Sequence, residues 1–181
     1  MGLVEFSQSQ RLRCFLVTVA AWLALAVGFA AEKQPVPTDT ALKAAQASVN
    51  DLFKSDLAAA KSAKMATQKS ELANKLIEAV EGKSSSAAVD YVLLTEALNL
   101  TTGASNISQS RGIVERLGEL FVVDERELTL QAIKKLEKGP TDKDYHRELA
   151  TIALQLAADA QRAEQLEIAG CLLYTSDAAD E

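Results

Sequence analysis

Few side chains in this chain have the types and the spacing that catalysis needs. The single histidine, His146, stands between Tyr145 and Arg147. A histidine-based zinc site needs several ligands close together, and both cysteines, Cys14 and Cys171, lie far from His146 in sequence. We therefore expect His146 to be exposed or to pack against its neighbours. The sequence predicts no catalytic residue, no metal ligand and no cofactor-binding residue.

Two aspartates, Asp142 and Asp144, resemble the first ligands of a calcium-binding loop. Such a loop also needs a glycine and a distal glutamate at fixed spacing, and neither follows here. The same carboxylates would be favourable at the N-terminus of a helix, which carries partial positive charge. We expect this second role for them, and also for Glu125 and Glu127.

Other residue patterns that would indicate a functional site are either absent or explained by helix structure. No serine stands in a G-x-S-x-G pattern, and no glycine-rich phosphate-binding loop occurs in the sequence. Glu164 and Glu167 lie near Arg162, and we expect them on a solvated helix face. Tyr91 and Tyr145 could line a groove, but aromatic residues at helical spacing are more often part of a core. We expect Tyr91 to be in the core.

Two triplets match the acceptor pattern of N-linked glycosylation, Asn99-Leu100-Thr101 and Asn106-Ile107-Ser108. Triplets of this kind are common by chance. The Asn106 side chain also suits the N-cap of a helix, because its oxygen accepts a hydrogen bond from an unpaired backbone amide. We expect the capping role.

The elements that must position these residues are helices. Alanine, leucine, lysine and glutamate dominate, and the prolines are confined to Pro35, Pro37 and Pro140. Apolar residues recur at three- and four-residue spacing, whereas few stretches alternate as a strand does. The sequence predicts an all-α fold of about six antiparallel helices with no sheet. These helices would form either tetratricopeptide-like hairpins or an irregular helical bundle.

Periodicity and helix-ending residues predict where each helix begins and ends. The first four helices are predicted at residues 40–63, 67–80, 87–101 and 107–120. The fifth opens at Asp124 with the capping-box pattern D-x-x-E, and the sixth is capped by Thr141 and reaches about Ile168. The third helix is apolar nearly all round, which predicts a central position.

Single residues at the helix ends lead to further expectations. We expect Asp39 to cap the first helix, Gly82 to adopt the left-handed conformation after the second, and Gly103 to end the third. The first helix is predicted to bury an apolar face along its whole length: Leu42, Ala45, Val49, Leu52 and Phe53. Large apolar residues are scarce, so we expect marginal stability, with the sixth helix poorly covered.

The N-terminal residues have the pattern of an export signal. Arg11 and Arg13 precede an apolar run over residues 14–31, and small residues lead up to a cleavage point after Ala30. Residues 1–30 are therefore predicted to be a secretory signal peptide. The alternative is an uncleaved membrane anchor, because the run is near the lower length limit for spanning a bilayer.

The C-terminal residues 171–181 (CLLYTSDAADE) resemble the in-frame translation of a sequencing adapter. We expect these residues not to be native, and the natural protein to continue differently after Gly170. The chain then divides into the signal peptide, a linker over residues 31–38 and a helical domain over residues 39–170.

The overall charge bears on the partners and the location of the chain. With 19 basic and 25 acidic residues, its net charge is −6. Such a surface does not favour the phosphate backbone, so no nucleic-acid partner is predicted. The chain is expected to be exported to the periplasm, the cell envelope or the medium. It would contact a membrane only through an uncleaved N-terminal segment.

Residues 91–98 (YVLLTEAL) and 117–124 (LGELFVVD) carry a family resemblance. They resemble a helical N-terminal region of large secreted proteins from planctomycete-type bacteria, in which the patterns are approximately Y-x-L-L-x-E-A and I-x-x-L-x-x-x-F-x-V-D. The resemblance covers roughly residues 42–136. It implies a helical region that follows a signal peptide and precedes a variable module. That module is often a laminin-G-like or formylglycine-generating-enzyme-like domain.

Together these observations favour a non-catalytic helical scaffold or protein-interaction region in an exported multidomain protein. Its partner would be another protein or its own downstream domain. The alternative, by analogy with the family, is an accessory region of a secreted enzyme, of the hydrolase or formylglycine-generating type, whose catalytic domain is missing here. A third hypothesis is a membrane-tethered helical protein. For the region present, the sequence predicts no enzymatic activity.

Overall fold

The structure, a computed structural model, describes residues 32–62, 65–82 and 86–162. The predicted signal peptide, the adapter-like residues, Glu164 and Glu167 lie outside these ranges. Within the ranges there are seven helices and no strand, so the predicted all-α fold is confirmed. The helices are α1 (Asp39–Leu52), α2 (Lys54–Ser62), α3 (Ala66–Glu81), α4 (Ala87–Gly103), α5 (Ile107–Leu120), α6 (Glu125–Leu136) and α7 (Lys143–Arg162).

α4 is the central helix, as its sequence predicts. It contacts α1, α3, α5 and α6, because apolar side chains cover most of its circumference. Its buried residues are Val92, Leu93, Leu94, Ala97, Leu98, Leu100, Thr101 and Thr102. Tyr91 packs against this core, where its ring meets the buried ring of Phe121 edge-on at 5.1 Å. The expected core position of Tyr91 is therefore confirmed.

The predicted first helix is divided into α1 and α2. Phe53 leaves helical geometry, with φ −109° and ψ 19°. Its side chain packs against the core, whereas Leu52 is 76% exposed. The predictions of one continuous helix and of a buried Leu52 are therefore wrong. The core accepts an aromatic ring at this point, and after the break α2 buries Leu57 and Ala60.

Two predicted N-caps are confirmed. The Asn106 side chain accepts a hydrogen bond from the backbone N–H of Gln109 at 3.1 Å. The Asp124 carboxylate accepts hydrogen bonds from the backbone N–H groups of Arg126 and Glu127 at 3.0 and 3.2 Å. Both side chains satisfy first-turn amides that have no partner within their helix. They therefore fix where α5 and α6 begin.

Two other predicted caps are wrong by one residue. Thr38 rather than Asp39 holds the N-cap position of α1, and Asp39 lies in the first turn. Asp142 rather than Thr141 caps α7, because its carboxylate accepts a hydrogen bond from the backbone N–H of Tyr145 at 3.1 Å. A charged oxygen accepts a stronger hydrogen bond than a hydroxyl oxygen does, which explains the preference at α7.

The α4–α5 turn uses a serine where the sequence suggests a glycine. Gly82, which follows α3 and not α4, has φ −69°, so the left-handed conformation predicted for it is wrong. Gly103 is the last residue of α4. Ser105, with φ 56°, is the only non-glycine residue with positive φ within the described ranges. Its backbone N–H donates to the carbonyl of Thr102 at 3.1 Å, which helps to close this tight turn.

Two apolar clusters hold the helices together, and α6 belongs to both. The larger cluster draws on α1 to α6. The smaller one joins the start of α5 to the facing sides of α6 and α7: Ile107, Leu130, Ile133, Leu136, Leu149, Ala153, Leu156 and Ala157. Short connections at 121–124 and 137–142 make α5 and α7 antiparallel to α6, on which both of them pack.

The segment before α1 is extended and is attached to the α5–α6 connection. The backbone N–H of Gln34 donates to the carbonyl of Leu120, and that of Val122 donates to the carbonyl of Gln34, both at 2.8 Å. This parallel pairing is an isolated bridge and not a sheet. We call residues 33–37, which lie inside the predicted linker, the N-terminal strap.

Candidate functional site

His146 lies half-buried near the start of α7, in contact with Tyr145. Their rings meet edge-on, with centroids 5.6 Å apart. The Tyr145 hydroxyl donates to the carbonyl of Leu136 at 2.7 Å and so ties α7 to the end of α6. Burial raises the pKa of the Tyr145 hydroxyl, and the negative charge of the Glu148 carboxylate raises this pKa further. A hydrogen bond with Ser105 acts in the opposite direction and lowers the pKa. These contacts agree with a packing role for His146.

The acidic residues noted in the sequence lie at the starts of helices. Asp142 caps α7, and Asp144 in its first turn pairs with Arg147 at 2.9 Å. Glu125 and Glu127 lie in the first turn of α6. These are the positions at which negative charge stabilises a helix. No group of three or more histidine, cysteine or carboxylate side chains suited to a metal ion occurs among the described residues.

The two glycosylation triplets are parts of the helical framework. The triplet 99–101 lies inside α4, and the side chain of its Thr101 is completely buried. The triplet 106–108 spans the start of α5, where Asn106 also donates from Nδ2 to Gln109 Oε1 at 3.1 Å. Glycosylation acceptors lie in surface loops, whereas Asn99 lies inside α4 and the Asn106 side chain is engaged as the cap of α5.

A buried hydrogen-bond network joins α4 to α5. Ser110 Oγ donates to the carbonyl of Asn106 at 2.7 Å and lies 3.0 Å from Thr101 Oγ1. Thr102 Oγ1 donates to the carbonyl of Leu98 at 2.8 Å. Buried hydroxyls are costly unless they are hydrogen-bonded, and these bonds satisfy them. We therefore assign the Ser110 and Thr101 hydroxyls to holding α4 and α5 together, whereas the Thr102 hydroxyl bonds within α4.

A groove of about 830 Å³ lies between α5 and α7, over the N-terminal half of α6. Four apolar residues line it, Val114, Val123, Ile152 and Leu156, and we call them its apolar floor; polar side chains such as Thr129 and Gln155 line it as well. Val122, which is 63% exposed, stands at its edge. We call this feature the α5/α7 groove. It exists because α5 and α7 both pack on α6 and leave the space between them uncovered.

Charges are unevenly placed around the α5/α7 groove. Asp124, Glu125 and the cationic Arg126 stand at the start of α6, and Asp159 stands on the last turns of α7, so three carboxylates and one guanidinium line this part of the groove. Because α7 is antiparallel to α6, these carboxylates lie at the same end of the groove. Arg111 lies in the first turns of α5, toward the opposite end, and pairs with Glu115 at 2.9 Å. The groove therefore has an acidic end and an end marked by Arg111.

Two smaller clefts also occur in the described ranges. One of about 290 Å³ lies between α3 and α5, lined by Ile77 and Ile113 beside Gly112. The other, of about 480 Å³, lies at the starts of α3, α5 and α7, beside Ser105. The α5/α7 groove is larger than either and joins an apolar floor to an exposed apolar edge. It is the candidate functional site.

The sequence indicated some groove residues but not the groove. Val114 and Leu156 each stand at three- or four-residue spacing from other apolar residues of their helices, and both are buried. Val122 follows Phe121 in an apolar connection, and this run of apolar residues outside any helix is the signal that could have marked the site. Periodicity identifies the inward face of each helix, but it does not show which pairs of helices leave a gap.

Comparison with known proteins identifies neither a family nor a function for this chain. No protein-family model, no curated protein and no solved structure matches this chain. Of the helices in the described ranges, none combines the length and the apolar character that crossing a membrane requires. The function is therefore argued from the groove itself.

Proposed function

We propose that this chain is a non-catalytic helical scaffold that binds another polypeptide in the α5/α7 groove. The observation that carries the proposal is the apolar floor of the groove, which opens to solvent beside the 63% exposed Val122. An apolar centre with a charged rim is the usual anatomy of a protein-binding surface.

The framework around the groove supports binding because it is held in place before a partner arrives. Asn106 and Asp124 cap the two helices that form one wall and the base. The N-terminal strap holds the backbone of Val122 through its hydrogen bond to Gln34 at 2.8 Å. A preformed groove loses less conformational entropy on binding than a mobile one, so more of the contact energy contributes to affinity.

The proposed setting is the N-terminal region of an exported multidomain protein. Its support is the signal-peptide pattern in residues 1–30 and the resemblance carried by residues 91–98 and 117–124. The partner would then be an envelope or secreted polypeptide, or a downstream domain of the same protein. The described ranges contain no cysteine, so packing rather than disulfide bonds holds these helices outside the cytosol.

Two matched substitutions in the full chain test the proposal. Val122→Ser removes an exposed apolar side chain from the groove, and Leu154→Ser removes one that is 48% exposed on α7 outside the groove lining. Each chain, immobilised, is exposed to envelope extract, and circular dichroism checks its fold. We expect a partner that wild type and Leu154→Ser capture equally and that Val122→Ser captures several-fold less. Equal capture by both variants would contradict the proposal.

A further inference from the structure

We infer that the α5/α7 groove receives an amphipathic α-helix from a separate polypeptide, antiparallel to α5 and α7, so that four helices form a bundle. The inference rests on the proposed function and specifies the chemistry of the partner. The partner helix has one apolar stripe, a cationic first turn and an anionic last turn. Three features support it: the topology, the shape of the floor and the direction of the charges.

The topology leaves one corner of a four-helix bundle empty. Ile107 at the start of α5 clusters with Leu136 at the end of α6 and Leu149 near the start of α7. The Tyr145 hydroxyl bonds the carbonyl of Leu136 at 2.7 Å, which brings the same ends of α6 and α7 together. α5, α6 and α7 thus alternate in direction side by side. In an up-down-up-down bundle the fourth helix lies between the first and the third, which is where the groove is.

The shape of the groove also suits a helix. With a helix diameter of about 10 Å and a rise of about 1.5 Å per residue, 830 Å³ corresponds to about two turns. Val114 and Val123 belong to α5 and the connection after it, and Ile152 and Leu156 belong to α7, so the floor has apolar side chains from both sides of the groove. A helix with apolar residues at three- and four-residue spacing presents a stripe that contacts both sides.

The charges give the helix a direction. At the acidic end, with Asp124, Glu125 and Asp159, α5 ends and α7 approaches its described end. The C-terminal ends of helices carry partial negative charge, and the N-terminal end carries partial positive charge. A partner helix is therefore favoured with its N-terminus at this end and its C-terminus near Arg111. This orientation is antiparallel to α5 and α7, in agreement with the topology.

The acidic end has cations of its own: Arg126 lines the groove next to Glu125, and Lys33 and Arg162 form ion pairs with two of the carboxylates. Glu125 lies 3.4 Å from Lys33, and Asp159 lies 2.9 Å from Arg162. In both pairs each side chain is about half exposed or more. Exposed ion pairs of this kind are weak and are screened by salt. Cationic side chains in the first turn of a partner helix can therefore also form ion pairs with these carboxylates.

Two synthetic peptides, each held helical by a side-chain staple, test the direction. Both carry the same leucine stripe; one has lysines in its first turn and glutamates in its last, and the other has these charges exchanged. Binding to the full chain is measured by fluorescence anisotropy at low salt. We expect the peptide with the lysine first turn to bind about three- to tenfold more tightly, since each helix end contributes a small electrostatic term.

Exchanging the charges of the groove provides the matched control. The double variant Arg111→Glu, Asp159→Lys exchanges the two ends of the groove and is expected to reverse the preference. Exchanging the exposed pair Asp144 and Arg147, 2.9 Å apart at the start of α7, should leave it unchanged.

Equal affinities for the wild-type chain, no binding of either peptide, or the same preference in both double variants would overturn the inference. These results differ from a failure of the proposed function. If neither peptide binds but capture still depends on Val122, the scaffold role stands and the helical partner is wrong. If capture does not depend on Val122, the proposed function itself is wrong.

Discussion

At the residue scale, the two glycines inside α5 have different surroundings. A Cβ atom at Gly112 would meet no atom within 4 Å, whereas one at Gly118 would run into the Glu125 side chain. Alanine is favoured over glycine in a helix interior by about 1 kcal/mol. We expect Gly112→Ala to raise the free energy of unfolding by about this amount. Gly118→Ala should gain less, because Glu125 must move and its contact with Lys33 at 3.4 Å is lost.

Urea unfolding of the two alanine variants measures this difference. A further variant, Gly118→Ala with Glu125→Ala, removes the obstructing side chain and should recover part of the missing gain. Equal gains at Gly112 and Gly118 would show that Glu125 does not fill the space beside Gly118.

Tyr145 offers a second test at the residue scale. Tyr145→Phe keeps the ring but removes the hydroxyl that donates to the carbonyl of Leu136 at 2.7 Å. The Leu136 carbonyl keeps its hydrogen bond from the backbone N–H of Gly139 at 2.8 Å but loses this second one, so we expect the free energy of unfolding to fall by about 1 kcal/mol at pH 7. Urea unfolding checks this, and an unchanged value would mean that the bond does not hold α7 on α6.

The same pair of chains should differ in its response to alkaline pH. Burial raises the pKa of Tyr145 in the folded chain above that in the unfolded chain. The contribution of the hydroxyl to stability is complete below the unfolded-state pKa of about 10, and it is lost as the pH rises through the folded-state pKa. The stability difference between wild type and Tyr145→Phe should therefore shrink between pH 8 and pH 11. A difference that stays constant over this range would contradict the raised pKa.

At the level of the helices, the break between α1 and α2 leaves one leucine exposed to solvent and buries another a few residues later. Leu52 is 76% exposed and Leu57 is 5% exposed. Leu57→Ala should lower the free energy of unfolding by about 2–5 kcal/mol, since it leaves a cavity in the core. Leu52→Ala should change it by less than about 0.5 kcal/mol. Urea unfolding distinguishes the two, and a large loss at Leu52 would favour one continuous helix.

Local signals account for the helix boundaries that the sequence predicted well. α5 was predicted over its observed range, and α6 opens after the predicted cap, because Asn106 and Asp124 bond amides only two or three residues away. The break at Phe53 depends instead on the space that distant helices leave for its ring. Ser105 takes a left-handed conformation that sequence rules assign to glycine.

At the scale of the whole molecule, the fold has a large core and a peripheral last helix. The larger apolar cluster contains residues of α1 to α6 and none of α7 among those described. α7 is held by the smaller cluster and by the Tyr145 hydroxyl. Helices with few buried contacts unfold locally before the rest of the protein does. A partner bound in the groove should therefore stabilise α7 more than any other helix. This agrees with the poor coverage expected for the last predicted helix.

The candidate site belongs to this largest scale, which explains why the sequence alone did not predict it. The helical spacing of Val114 and Leu156 with other apolar residues indicates that they face inward, and both are buried. The gap between them arises because α5 and α7 both pack on α6. The apolar spacing within one helix does not indicate which other helices pack beside it. The absence of catalytic patterns, in contrast, was visible in the residue types themselves.

The central claim is that the α5/α7 groove is occupied by another polypeptide where the protein works. Photo-crosslinking in the producing cell tests it most directly, with a photoreactive amino acid at Val122, on the groove edge, or at Leu154, on α7 outside the groove lining. If another polypeptide occupies the groove, a discrete crosslinked protein forms from Val122 and none forms from Leu154. The same crosslinking pattern from both positions, or crosslinks from Leu154 alone, would contradict it.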